Sequence, residues 1–150
     1  MTIVRTTVKR PTTEELLDHC LYFTTARLGR ILNKWAEQAF ADQNLAPSQA
    51  YALMAVNEKP GQSQQELAQL LHLAPSTLTR FLDKLEARGL VRRREEGRLT
   101  YVDATEEGLV LEPVLEAGWA EVWKRYSAVL GDEGDTLAAT LTRVARSLEG

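Results

Sequence analysis

Seven basic side chains fall between Ser76 and Tyr101: Arg80, Lys84, Arg88, Arg92, Arg93, Arg94 and Arg98. Four acids share the stretch (Asp83, Glu86, Glu95 and Glu96), which leaves it at +3, whereas the rest of the chain holds 11 basic and 17 acidic residues, or −6. Positive charge confined to one segment of an otherwise acidic chain suits the binding of phosphates. Ser76, Thr77 and Thr79 stand just ahead of Arg80 and add hydroxyls. Arginine can donate two hydrogen bonds to a guanine edge, and hydroxyls bond either base edges or phosphates. A merely solvated helix face is the competing reading, but it does not require the remainder to be so acidic. Bond-making chemistry has little to work with. The chain has two histidines and one cysteine, no glycine-rich phosphate loop, no spaced Cys/His set, and no nucleophile with an evident base. Neither an enzyme, a metal centre nor a cofactor is expected.

The elements that must position these side chains follow from local pattern. Ser63 and Glu66 have capping-box spacing and open a helix. Its companion begins at Pro75, a residue suited to a first helical turn, and stops at Arg88-Gly89. Leu67, Leu71, Leu73, Leu78, Phe81 or Leu82, and Leu85 form the inward set, with the small Ala68 where the two helices cross closely. Ser76, Thr77, Thr79, Arg80 and Lys84 fall near the other side of the second helix, early in it, where a recognition helix touches bases. His72 stands at the turn between the two, a position that needs positive φ, and histidine is among the few residues besides glycine enriched there. Leu90–Arg94 and Leu99–Asp103 then read as strands joined by Glu95-Glu96-Gly97-Arg98. Arg98 at such a tip can enter a minor groove. Alternation sets Arg93 on the face opposite Arg92 and Arg94, without deciding which face meets phosphates. The unit is a helix-turn-helix followed by a wing, and the expected fold is mainly α, with a small β-hairpin wing and long terminal helices.

At 150 residues, a single winged-helix protomer over 1–150 is expected. Its DNA-binding lobe is expected over about 45–104, with dimerisation helices over 12–42 and 105–148. Residues 1–10 read as a loosely held arm. Thr12 and Glu15 box the start of a helix that runs to about Ala41, with an apolar stripe through Leu17, Leu21, Leu28 and Trp35. A second helix starts at Pro47-Ser48 and stops near Asn57. Past the wing, Thr105-Glu106-Glu107 caps a helix that reaches about Leu130, with Pro113 bending it two turns in. A last helix carries Leu137, Leu141, Val144 and Leu148. Long terminal helices with apolar stripes lack local partner surface, so a two-fold homodimer built from both termini is expected, against a monomeric bundle whose stripes satisfy one another. No apolar run approaches the ~20 residues of a membrane span. Met1–Arg10 lacks the apolar core of a secretory signal, and a lone cysteine cannot form an intramolecular disulfide, so the expected compartment is a reducing cytoplasm.

Four runs carry a family resemblance: Glu66-Leu67-Ala68, Pro75-Ser76-Thr77-Leu78-Thr79-Arg80, Leu85-Glu86-Ala87-Arg88-Gly89-Leu90-Val91 and Thr105-Glu106-Glu107-Gly108. With the helix order, they make residues 12–148 resemble the multiple-antibiotic-resistance regulator (MarR) family. The resemblance implies a dimeric regulator of transcription that binds double-stranded DNA at a pseudo-palindromic operator, and it makes Ser76, Thr77, Thr79, Arg80, Lys84, Arg94 and Arg98 the DNA-binding candidates. Glu96-Gly97-Arg98 is similar to the family's wing pattern of acid, one residue, then arginine, with Glu for the usual Asp in a wing shorter than most. Many relatives respond to small aromatic or phenolic compounds. Here Tyr22, Trp35, Tyr51 and Trp119, with Phe23 and Trp123 beside them, can line such an effector pocket, although aromatics at helical spacing also serve as plain core. Some peroxide-sensing relatives carry a reactive cysteine near the position of Cys20, so a redox-responsive regulator is an alternative. Those relatives hold the thiolate with tyrosines where this chain has Leu45-Ala46-Pro47-Ser48. The acidic remainder and a pI near 5.5 leave a protein-interaction adaptor of the same fold as a further alternative.

Overall fold

A computed structural model describes residues 9–150, so the arm expected over 1–10 lies, up to residue 8, outside the described residues. The chain divides into two compact units, residues 1–34 and 35–150.

The first unit holds α1 (Thr13–His19) and the start of α2 (Leu21–Phe40). The Thr12–Glu15 capping box is present in both directions. The single helix expected here is broken at Cys20, whose backbone is extended at φ −87, ψ 126. No proline or glycine marks the break. The five residues that follow, Leu21-Tyr22-Phe23-Thr24-Thr25, include four aromatic or β-branched residues of modest helix propensity. Thr24 and Thr25 donate their hydroxyls to backbone carbonyls at Cys20, Leu21 and Tyr22, bonds that compete locally with a straight helix.

The second unit begins with the end of α2 and a 3-10 turn at Ala41–Gln43. It continues through α3 (Pro47–Glu58), β1 (Gln62–Ser63), α4 (Gln64–Leu70), α5 (Pro75–Ala87), β2 (Val91–Glu96), β3 (Leu99–Ala104), α6 (Glu106–Val110), α7 (Glu112–Leu130) and α8 (Glu133–Glu149). Phe40, Leu53, Leu67, Leu78, Leu82, Leu85, Val102 and Leu115 are fully buried in one core, with Ala68 among them where α4 meets α5. Each such leucine contributes roughly 1.5–3 kcal/mol by leaving water. Phe81, paired with Leu82 in the expected inward set, is only half-buried. On α7, Gly118 lies against the Phe40 ring, where any side chain would overlap it.

Three helix ends close in one way. Asn44, His72 and Gly89 take φ of 52, 53 and 71, and the residue after each donates its N–H five positions back. This is the Schellman arrangement, which satisfies carbonyls orphaned at a helix end. His72 is therefore the left-handed turn residue that its position demanded. A left-handed non-glycine residue costs roughly 1–2 kcal/mol. His72→Gly is accordingly expected to raise stability by up to about 1 kcal/mol, because added freedom in the unfolded chain offsets part of the relief. A denaturant melt with unchanged slope checks this, and a loss of stability would show that the imbalance lies elsewhere.

The sheet has three antiparallel strands in the order β1-β3-β2, one more than the expected hairpin. Gln62 and Ser63 pair with Val102 and Tyr101, and Gln62 also turns its side-chain amide onto the carbonyls of Ala55 and Lys59 that end α3. The hairpin strands reach Glu96 and Leu99, so the connection is two residues, Gly97-Arg98, with Gly97 at φ 63, and not the four-residue loop expected. The helix expected from Thr105 to Leu130 is two helices that meet at Leu111. Pro113 sits in the first turn of the second, where its missing N–H is harmless, so it opens a helix instead of bending one. Thr105 caps α6 by accepting the Gly108 N–H, without the reciprocal half of a box.

Candidate nucleic-acid interface

Helix α4 starts at a complete capping box: Ser63 Oγ accepts the Glu66 N–H at 3.1 Å, and Glu66 accepts the Ser63 N–H at 3.1 Å. That box aims α4 so that Gln64 Nε2 donates to Thr79 Oγ1 at 3.1 Å, and Thr79 in turn donates to the Pro75 carbonyl at 2.9 Å. Thr79 thus ties the two helices together. At the N-terminus of α5, Ala74 supplies no side-chain cap. Ser76, Arg80 and Lys84 are exposed at spacings of four along α5, on the side away from the buried Leu78, Leu82 and Leu85, and Thr77 is half-buried beside them.

The seven basic residues of this region divide into two groups. Arg88 donates to the carbonyls of Gln43 and Asn44 at 2.9 and 3.0 Å and so holds the loop before α3. Arg93 faces α5, where it pairs with Asp83 at 2.6 Å and Glu86 at 3.0 Å, and its backbone N–H also donates to Glu86. Arg94, on the other face of the hairpin with Arg92, pairs with Glu96 and Asp103 and lies over the Tyr101 ring. Arg80, Lys84, Arg92 and Arg98 are exposed and make no ion pair among the described residues. Arg98 occupies the hairpin tip. The structure brings Ser76, Arg80 and Lys84 onto one helix face, and it draws Thr79 and Arg94 into internal contacts. Arg92, left undecided by alternation alone, joins the exposed cations, while Arg88 and Arg93 leave that group. Charge counting could not separate them, because their partners lie elsewhere in the fold.

The Arg93 clamp fixes the wing to α5. The N–H of Arg93, then its guanidinium, hold the Glu86 carboxyl below its ordinary value of 4.5. A group depressed in the folded state stabilises fully above its unfolded value and loses that contribution as pH falls through the folded one. Glu86→Gln is therefore expected to lower stability at neutral pH and to converge on the wild type well below pH 4.5. Melts across pH 2.5–7 (about that range) check the convergence. A constant gap at every pH would contradict it.

The comparisons with known proteins bear on this geometry. Residues 45–96, from the loop before α3 to the end of β2, match the model of the MarR family. Over this segment the chain is similar to the MarR family. Its relatives include YybA of Bacillus subtilis (strain 168), described as an uncharacterized HTH-type transcriptional regulator. YybA is 26% identical over 126 residues, which cover 81% of this chain and 84% of YybA. The transcriptional repressor CouR bound to p-coumaroyl-CoA superposes with a TM-score of 0.80 at 25% identity, over 91% of this chain and 99% of CouR. CouR bound to a 23-mer DNA duplex superposes with a TM-score of 0.76 at the same identity and coverage.

The remaining candidate residues are dispersed. Tyr22 and Cys20 belong to the first unit, where Tyr22 packs edge-on to Phe23 and Cys20 is half-buried at the helix break. In the second unit, Trp35 lies under the Arg125 guanidinium at 4.5 Å and Tyr51 packs edge-on to Phe40 at 5.8 Å. Trp119 stacks on Trp123 at 6.5 Å, and both indoles remain more than 40% exposed. Tyr51 also lines a shallow cleft with Ser48, Leu70, Leu71 and Leu73.

Proposed function

We propose that the chain is a sequence-specific transcriptional regulator that binds a pseudo-palindromic operator as a homodimer and responds to a small-molecule effector. The carrying observation is the set of unpaired cations on one face of α5 and at the wing tip. Arg80 would read a major-groove base edge, and Ser76, Thr77 and Lys84 would position the helix on phosphates. Arg98 would follow the adjacent minor groove. Thr79 contributes by fixing the crossing of α4 and α5. Residues 45–104 would act as the DNA-binding lobe, and 12–42 and 105–148 as the dimerisation helices.

The homodimer is supported by apolar side chains that the single chain leaves uncovered. On α8, Leu137, Leu141 and Leu148 are exposed, as is Val129 at the end of α7. A second copy of the chain is the economical cover for such stripes. Among the described residues no helix is long and apolar enough to cross a membrane. A cytoplasmic regulator acting on chromosomal DNA fits that observation. The ligand complex of CouR supports an effector of organic character, and Trp35, Tyr51 and Trp119 would offer aromatic surface to a small aromatic or phenolic compound. Effector binding would change the spacing of two recognition helices and depopulate the DNA-competent state.

Sedimentation and binding to random duplex test the core of the proposal together. The expected result is a dimer mass and an affinity that falls steeply with salt. A monomer, or binding indifferent to salt, would favour a protein-interaction adaptor of the same fold.

A further inference from the structure

Arg94 differs from every other exposed cation of the wing. Its Nη1 donates to Glu96 at 2.6 Å, its Nε donates to Asp103 at 3.0 Å, and its guanidinium carbon lies 4.7 Å from the centre of the Tyr101 ring. Strand register explains the cluster. Arg94 pairs with Tyr101, Arg92 with Asp103 and Glu96 with Leu99, so all of these side chains emerge on one face of the hairpin. Two carboxylates and a ring face therefore surround one guanidinium that is still 47% exposed. Stability does not require so much. Exposed ion pairs are worth roughly 0–1 kcal/mol each. The larger consequence is for the field of the wing. Without the acids, this face and the tip would present Arg92, Arg94 and Arg98 together; with them, the local balance falls to a single positive charge.

We propose that Glu96 and Asp103 serve as internal phosphate mimics that hold Arg94 away from the DNA backbone. They lower sequence-independent affinity and so leave discrimination to Arg80. Arg94 is then a restrained cation whose pairing sets specificity. This inference rests on the DNA-binding reading above. The geometry suits the role, because a phosphate oxygen would need the same donors that the carboxylates occupy. Removing the carboxylates while keeping the side-chain shape should free one further phosphate contact in each protomer.

The test compares four proteins on random-sequence duplex across salt: wild type, Glu96→Gln with Asp103→Asn, that pair with Arg94→Ala added, and Glu95→Gln. Glu95 lies on the opposite face of the same strand and controls for loss of a wing charge in general. The double variant is expected to bind random duplex about tenfold more tightly near 0.1 M salt, with a salt slope steeper by about one per protomer. Arg94→Ala in that background should return both quantities close to the wild type, and Glu95→Gln should change affinity by less than about twofold. Unchanged affinity and slope in the double variant would overturn the proposal. So would a gain that survives Arg94→Ala, since the effect would then belong to net charge alone. If the wild type and every variant bound without salt dependence, the DNA-binding reading would fail first and this inference with it.

Discussion

Gly108→Ala is expected to destabilise the protein by about 3 kcal/mol, among the largest effects of any single methyl group in the fold. Gly108 is buried in α6, at the junction of three elements. Its N–H donates to Thr105 Oγ1, whose own proton goes to the Gly89 carbonyl at 2.6 Å. Its carbonyl accepts from Asn57 Nδ2 at 2.9 Å, and Asn57 also reaches Glu112 at 2.7 Å. An added Cβ would overlap the Leu90 carbonyl oxygen and come within 3.3 Å of Leu53 Cδ1. The Leu90 backbone cannot yield easily, because its N–H closes the cap of α5 on Leu85 and the chain enters β2 at the next residue. The strain would therefore pass into the wing or the core. Gly29→Ala is the control. Its Cβ would meet nothing within 4 Å, and it sits inside a helix, so it should stabilise by about 0.5–1 kcal/mol. Denaturant melts of both variants check the pair. A loss below about 1 kcal/mol for Gly108→Ala would mean that the close approach to Leu90 is not a packing constraint.

Arg80→Ala is expected to leave stability unchanged and to weaken operator binding by about 1–3 kcal/mol at each half-site, or about 2–6 kcal/mol for a dimer. The side chain is exposed and unpaired, so its removal leaves no buried partner unsatisfied. If it reads a base edge, discrimination at the matching position should relax while binding to random duplex changes little. Arg98→Ala should do the reverse, weakening binding evenly across sequences and reducing the salt slope. Salt-controlled titrations with operator and random duplex separate the two behaviours. If both variants bind the operator like wild type, these residues are not the readers.

Local pattern carried far in this chain where one residue type does one local job. The Ser63–Glu66 box, Pro75 in a first turn, Gly89 as a stop and His72 at positive φ all depend on neighbours within five positions, and all are found as read. Features that depend on distant partners were less legible. Arg93 is matched to Asp83 ten residues away by the docking of β2 on α5, and Arg88 reaches carbonyls more than forty residues back. A count of positive charge treats them like Arg80. β1 is two polar residues recruited by β3, too short and too polar to show an alternating pattern. The break at Cys20 has neither proline nor glycine to announce it, and Pro113 announced a disturbance without saying that a helix would begin there. The contact of Thr79 with Gln64 was equally hidden, because it forms only once α4 crosses α5.

The central claim is that two copies of the α5 face read one DNA site. Selection of bound duplexes from a random pool by the purified protein tests it most directly. Enrichment of two-fold-related half-sites with centres about 10 base pairs apart, or a multiple of that, is expected, with loss of the enriched bases when Arg80→Ala is used instead. A pool that emerges without enrichment, or with a single unrepeated half-site, would contradict it.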